Sequence, residues 1–401
     1  MVSVAEQYEA YPYPDRDPAE EKTRLVTGSP SHPLEMDHFL WGGARDWSKP
    51  LRILVAGGGT GDGTIQLAQI LAWAGRECEI TYLDLSRRAR EIAEARASAR
   101  GLTSITFHTA SLLDAPDFGR FDYVDCCGVL HHLPEPEAGF RALREALAPG
   151  GAAGVMVYAP YGRSGVYPLQ EAFGALFDGA SPEVRLAEAR KIVAELPAGH
   201  PFRANTNLVD HEQSDAGFYD LLLHSQDRAY SVSELSETLD ATGWQLASFA
   251  TPGLYDLSRI TGQGADLPEH RRMALAEKLR GTIKVHNAYL VPAEAQRPEP
   301  ASGHRRANVP HLRGLDPRAL AQAIGAGKRP SLKACGVSVP LSLDKRTAPL
   351  IGSIDGTRNL NEIAAMAGLD PLAFWRLWQP LEAALAPWGI LLYSSLYRRV
   401  R

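Results

Sequence analysis

The stretch ILVAGGGTGDGTIQLA, residues 53 to 68, constrains the fold more than any other part of the chain. An apolar run ends at Ala56, five glycines fall among residues 57 to 63, and helix-forming residues follow. Backbone without Cβ atoms at the end of a strand can pass close to another group. The strand-then-helix grammar repeats. Apolar runs at 51 to 56, 79 to 84, 104 to 110, 121 to 127 and 152 to 158 alternate with helix-like stretches such as TIQLAQILAWAG, SRRAREIAEARASARG and PEAGFRALREALAPGG. Asp84 and Ser86 can cap one of these helices, and Gly101 and Gly150 can close two others. The alternation predicts an α/β fold with a parallel sheet, whose ligands bind beyond the carboxyl ends of the strands where strand order reverses.

Two common nucleotide-binding patterns fail on this loop. No frame completes G-x-G-x-x-G, because the closing position falls on Asp62, Thr64 or Gln66, and the Gly-Lys-Ser/Thr of a phosphate loop is absent. The loop reads G-x-G-x-G at Gly57, Gly59 and Gly61, and Asp84 ends the second strand. Downstream, residues 121 to 160 contain VLHHLPEP, a helix-like stretch and a Pro-Gly-Gly turn, while YEAYPYP occupies residues 8 to 14. Together these resemble the class I S-adenosylmethionine-dependent methyltransferases, of the bacterial type with a tyrosine-rich amino-terminal lid.

That resemblance implies a Rossmann-like seven-stranded sheet, with GWQLASFA and TIKVHNAYLV as the last two strands and the final one antiparallel. S-adenosyl-L-methionine is the implied cofactor. Gly57, Gly59 and Gly61 would pass beside it and Asp84 would accept its ribose hydroxyls, with Leu85, Ser111, Leu112, Cys127 and Gly128 lining the remainder and Tyr8 covering it. Two positions depart from the family pattern: Val55 stands where an acidic residue usually precedes the first glycine, and Ser111 replaces an acidic residue near the adenine.

Methyl transfer needs an aligned nucleophile and, where that nucleophile is protonated, a base. By analogy His131 and His132 lie nearest the methyl group, with His131 as the candidate base or as a packing group against the cofactor. An insertion at about 161 to 230 is expected to be helical and to shape the acceptor site. Within it Asp220 and His224 are four residues apart, so a helix would place them on one face. The pair is open to a structural hydrogen bond or a substrate-binding or basic role. His211, Asp215 and His224 do not make a convincing metal set, and Cys78, Cys126, Cys127 and Cys335 show no metal spacing, so no metal is expected.

At 401 residues two domains are expected. Residues 1 to 50 read as a lid or arm, 51 to 292 as the methyltransferase domain and PAEAQRPEPASGH, at 293 to 304, as a linker. Residues 305 to 401 read as a small α+β domain similar to a winged helix. From residue 301 onward fourteen Lys and Arg stand against six Asp and Glu, whereas the preceding part is acidic. An appended basic domain points toward a protein or peptide acceptor. A small-molecule acceptor with a dimerising appendage, RNA, and a cofactor-binding scaffold without turnover stay open. With no apolar run of membrane-spanning length and an acidic amino terminus, a cytoplasmic location without membrane contact is expected.

Overall fold

The computed structural model describes residues 4–398. Seven strands form one sheet: β1 (Leu51–Ala56), β2 (Cys78–Asp84), β3 (Ile105–Thr109), β4 (Phe121–Cys127), β5 (Leu147–Tyr158), β6 (Trp244–Phe249) and β7 (Val285–Pro292). Their order is β3-β2-β1-β4-β5-β7-β6, with β7 antiparallel to both neighbours and the other pairings parallel. The strand order therefore reverses between β1 and β4, and the glycine loop leaves the sheet at that point. Central strands are apolar on both faces because helices cover both sides. Ile53, Val55 and Tyr123 face the helix Asp62–Trp73, while Leu54, Val124 and Val155 face the helix Pro136–Glu145.

The insertion folds as helices Val166–Leu176, Pro182–Glu195 and Asp215–Leu222 with two shorter helices between them. It has its own apolar cluster of Val166, Phe173, Leu186, Phe218 and Leu222, so it keeps its shape beside the sheet.

The first fifty residues are not one arm. Residues 4–22 cover the carboxyl end of the sheet, whereas the helix Pro33–Leu40 is buried at every position. Its Asp37 accepts bonds from the Trp47 indole (3.2 Å), the Ser394 hydroxyl (2.6 Å) and the Ser395 amide (3.0 Å), and its Glu35 pairs with Arg313. This helix thus ties the carboxyl-terminal region to the sheet. The stretch expected as a linker is also laid down: Arg297 pairs with Glu269 at 2.7 Å, the Ala301 amide donates to the His38 carbonyl at 2.9 Å and the Gly303 amide to Glu382 at 2.7 Å. Proline and charge gave it a linker's composition, but its backbone polar groups find partners on the body.

The carboxyl-terminal helices follow in the expected order, Ala348–Gly352, Leu360–Met366 and Pro371–Leu385, the second closed by a capping box of Asn359 and Glu362. The arrangement around them departs from a winged helix. The strand Leu391–Tyr393 pairs with Pro310–Leu312, and the hairpin of Ser331–Ala334 with Val337–Pro340 precedes the three helices. Among the described residues no wing follows the last helix. No helix is long and apolar enough to cross a membrane, among the same residues.

Candidate active site

The carboxyl ends of β1, β2 and β4 open into a cavity of about 440 Å³, within the range of small-molecule sites. Gly57, Gly58 and Gly59 form its floor. Their bareness is used first by the protein itself: a Cβ on Gly57 would lie 2.4 Å from Val129, and one on Gly58 2.2 Å from the Tyr82 ring. Gly59, at φ +52°, would meet the Tyr13 carbonyl at 3.0 Å. Asp84 ends β2 and fixes the loop, accepting the Gly59 amide at 2.8 Å through one oxygen and the Ser86 amide at 2.8 Å through the other. Burial raises its carboxyl above the usual range, against those two bonds. Each oxygen keeps a lone pair, so a diol can still be accepted.

Leu85, Ser111, Leu112, Cys127 and Gly128 line this cavity, as does Tyr8. The Ser111 hydroxyl caps the short helix that follows it, accepting the Leu113 amide at 3.1 Å. Gly61 lies away from the cavity. At φ +101° it starts the helix Asp62–Trp73, and a Cβ there would meet Ala93 at 2.9 Å, so helix packing explains this glycine.

The opposite end is polar and aromatic. Asp220 lines it and is buried, with both carboxylate oxygens occupied: Tyr8 donates to one and Tyr158 to the other, each at 3.0 Å. Burial raises the Asp220 carboxyl, opposed by nearby His132 and Arg163. Arg163 lies 3.6 Å over the Tyr158 ring and pairs with Asp227 at 3.1 Å. The insertion helix ends at Leu222, so His224 sits just beyond it. Its Nδ1 accepts the Gln226 amide at 3.1 Å, which leaves the proton of the neutral ring on Nε2, 3.2 Å from the Tyr8 hydroxyl. The chain His224 to Tyr8 to Asp220 is therefore satisfied in one direction.

His131, weighed as a base or a packing group, does not line the cavity, whereas its neighbour His132 does. His131 is fully buried outside the cavity lining, packed 4.0 Å from the Tyr158 ring and 4.1 Å from His132, with both nitrogens unpartnered. Burial pushes its pKa well below the ordinary histidine value. The turn Leu130–His132 rotates His132, not His131, into the cavity. His132 Nδ1 lies 2.9 Å from the Gln226 carbonyl and must donate to it, so Nε2 carries the lone pair, and that atom has no partner. The pairing LHH announced a histidine in the sequence; which of the two turned inward depends on a three-residue turn. His224 stands behind His132, stacked at 3.7 Å and 15°. His132, Asp220 and His224 bring one ligand atom each within 4.8 Å of one another, as do His131, His132 and Asp227. Of the other residues weighed for a metal, His211 packs on Phe202 and Asp215 pairs with Arg190.

Residues 8 to 16 roof the site. Tyr11 stacks on Tyr219 at 5.0 Å, the Thr60 hydroxyl donates to the Pro14 carbonyl at 2.7 Å, and Arg16 pairs with Asp62 at 2.6 Å. Asp62 is held in turn by Arg96 at 2.7 Å. No residue beyond 292 lines the cavity, among those described.

A family model described as a methyltransferase domain matches residues 54–153. An uncharacterized protein of Synechococcus sp. is 32% identical over 271 residues, 66% of this chain and 64% of that protein. The ubiquinone biosynthesis O-methyltransferase of Leptothrix cholodnii is 29% identical over 82 residues, 20% of this chain and 35% of that one. The alignments thus span less than two thirds of either curated relative. PKMT2 from Rickettsia typhi, solved in complex with AdoHcy, shares the fold at TM-score 0.65 and 15% identity, over 92% of this chain and 77% of that one. The cavity suits the family's cofactor chemically, with a diol acceptor at Asp84, bare backbone at Gly59 and an unpartnered carboxylate oxygen on Asp125. Sheet order, glycine loop and family match agree: this chain carries a class I, S-adenosylmethionine-dependent methyltransferase domain.

Proposed function

We propose that the chain transfers a methyl group to a small acceptor bearing a hydroxyl or amine, with His132 as the base. When bound, S-adenosylmethionine supplies the methyl group already activated on a sulfonium. The protein's task is then to hold the acceptor in line and take its proton. The observation that carries this reading is the His132 Nε2 lone pair, buried and unpartnered on a residue that lines the cavity, in a tautomer fixed by the Gln226 carbonyl. Asp220, with Tyr8 and Tyr158, would hold the acceptor's polar group beside it. Loop residues Gly57, Gly59, Asp84, Leu85, Ser111, Leu112, Cys127 and Gly128 would hold the cofactor.

A small acceptor is favoured because residues 8 to 16 roof the cavity and, among the described residues, none beyond 292 lines it. A protein side chain is the second reading, supported by the likeness to the protein methyltransferase PKMT2 along 92% of this chain. Labelled methyl transfer tests both, with phenols, hydroxy acids and amines in one panel and lysine-bearing peptides in the other. His132→Asn should lower kcat about a hundredfold, the usual contribution of a general base, with S-adenosylhomocysteine affinity unchanged. An undiminished rate would remove His132 from the chemistry.

A further inference from the structure

β4 is apolar except at one interior position. Asp125 is 1% exposed, and its Oδ2 accepts the Ser31 hydroxyl at 2.6 Å while its Oδ1 has no partner. It lines the cavity beside Gly57, Gly63 and Cys127. In the parallel pairing of β1 with β4 it is the register partner of Val55, so the two side chains stand next to each other on one face of the sheet. Where the strand before the glycine loop presents only an apolar group, the neighbouring strand presents a carboxylate at the same height.

Bare backbone lies against this carboxylate. The first turn of the helix Asp62–Trp73 rests on it through Gly63, where a Cβ would lie 2.9 Å from Asp125 Oδ2 and 2.6 Å from Ser31 Oγ. A side chain at 63 would collide with the Asp125–Ser31 pair. The other buried carboxylate lining the cavity, Asp220, has both oxygens occupied by tyrosine hydroxyls. Asp62 is committed to Arg16 and Arg96, and Asp84 holds two loop amides and keeps its remaining lone pairs for the diol assigned to it above. Burial pushes the Asp125 carboxyl up to about 7, with the Ser31 bond opposing.

Resting on the cofactor assignment above, we propose that Asp125 is the anionic partner of the α-ammonium at the amino-acid end of the cofactor. An ammonium offers three donors, and Oδ1 supplies a charge-assisted acceptor in a site screened from water. Val55 then needs no acidic side chain, because the charge has moved one strand across the sheet.

Calorimetric titration of the full chain tests this with S-adenosylhomocysteine and with 5′-methylthioadenosine, which lacks the amino-acid end. Asp125→Asn should weaken S-adenosylhomocysteine about tenfold or more and leave 5′-methylthioadenosine unchanged. Equal weakening of both ligands, or of neither, would overturn the proposal. Should the variant not fold, the wild-type chain gives the answer from the ligand side. An S-adenosylhomocysteine analogue without its α-amine should bind about tenfold more weakly than the parent, and equal affinity would overturn the assignment. If the wild type binds none of the three, the cofactor reading itself fails, and this inference with it.

Discussion

At the residue scale, the site depends on a few polar atoms whose partners are fixed by backbone. Asp84 is the clearest case, since its carboxylate both shapes the glycine loop through Gly59 and presents remaining lone pairs to the cavity. Asp84→Ala should weaken S-adenosylhomocysteine binding about tenfold or more, the effect of losing a charge-assisted bond of about 1.5 to 3 kcal/mol. Titration calorimetry reads this directly, and unchanged affinity would displace Asp84 from the cofactor site. The motif residues Gly57, Gly59 and Asp84 were legible in the sequence because their spacing to the strand ends is local. Which of His131 and His132 faces the cavity was not, nor was Asp125. The first depends on the rotation of one short turn, and the second on which residue of β1 lies beside it. A polar residue inside the apolar run FDYVDCC was the available signal for Asp125.

At the element scale, the amino-terminal segment behaves as a roof pinned at several points. Glu9 accepts the Ser86 hydroxyl at 2.9 Å, Tyr8 reaches Asp220, and Arg16 reaches Asp62. Tyr8 and Tyr13 of YEAYPYP line the cavity, while Tyr11 packs outside it on Tyr219. Arg16 and Asp62 are each about a quarter exposed, so solvent screens their pair and its worth is about 0.2 to 1 kcal/mol. Arg16→Ala should therefore speed dissociation of S-adenosylhomocysteine by no more than about fivefold, and should quicken protease cleavage within residues 4–22. Stopped-flow displacement and limited proteolysis check the two effects. An unaltered dissociation rate would mean that the roof does not gate the site.

At the scale of the whole molecule, buried histidines stand on both sides of the contact between the helix Pro33–Leu40 and the carboxyl-terminal region, and one of them, His38, bonds across it. His32 caps the helix Pro33–Leu40 by accepting the Leu34 amide, His38 accepts the Tyr393 amide at 3.1 Å, and His311 donates to the Ser394 carbonyl at 2.8 Å. Burial holds their pKa values down, to about 3 for His32 and His38 and about 4 for His311, against about 6.5 when unfolded. Below pH 6.5 the unfolded chain binds protons that the folded one refuses. Stability is thus full above pH 6.5 and falls as pH drops toward 4, by about 1.4 kcal/mol per pH unit for each histidine in the steep part. Thermal melts between pH 7.5 and 4.5 should show this decline. A His38→Asn variant should show a shallower slope, and an identical slope would assign the acid sensitivity to other groups.

The sequence by itself determined the first five strands, the glycine loop and the capped helices, which follow from local periodicity and turn chemistry that read the same wherever the segment ends up. The last two strands and the antiparallel direction of the final one came from the family resemblance. Tertiary structure decided the rest. Whether 293–304 is a spacer depends on Glu269, His38 and Glu382 meeting it from distant parts of the chain. Whether residues 33–40 belong to a lid or to the core depends on Ser394 and Arg313, more than 270 residues away. Which histidine faces the cavity, and which carboxylate stands free in it, depend on cross-strand register and on side chains brought in by the insertion. Those are contacts between segments, and no local pattern encodes them.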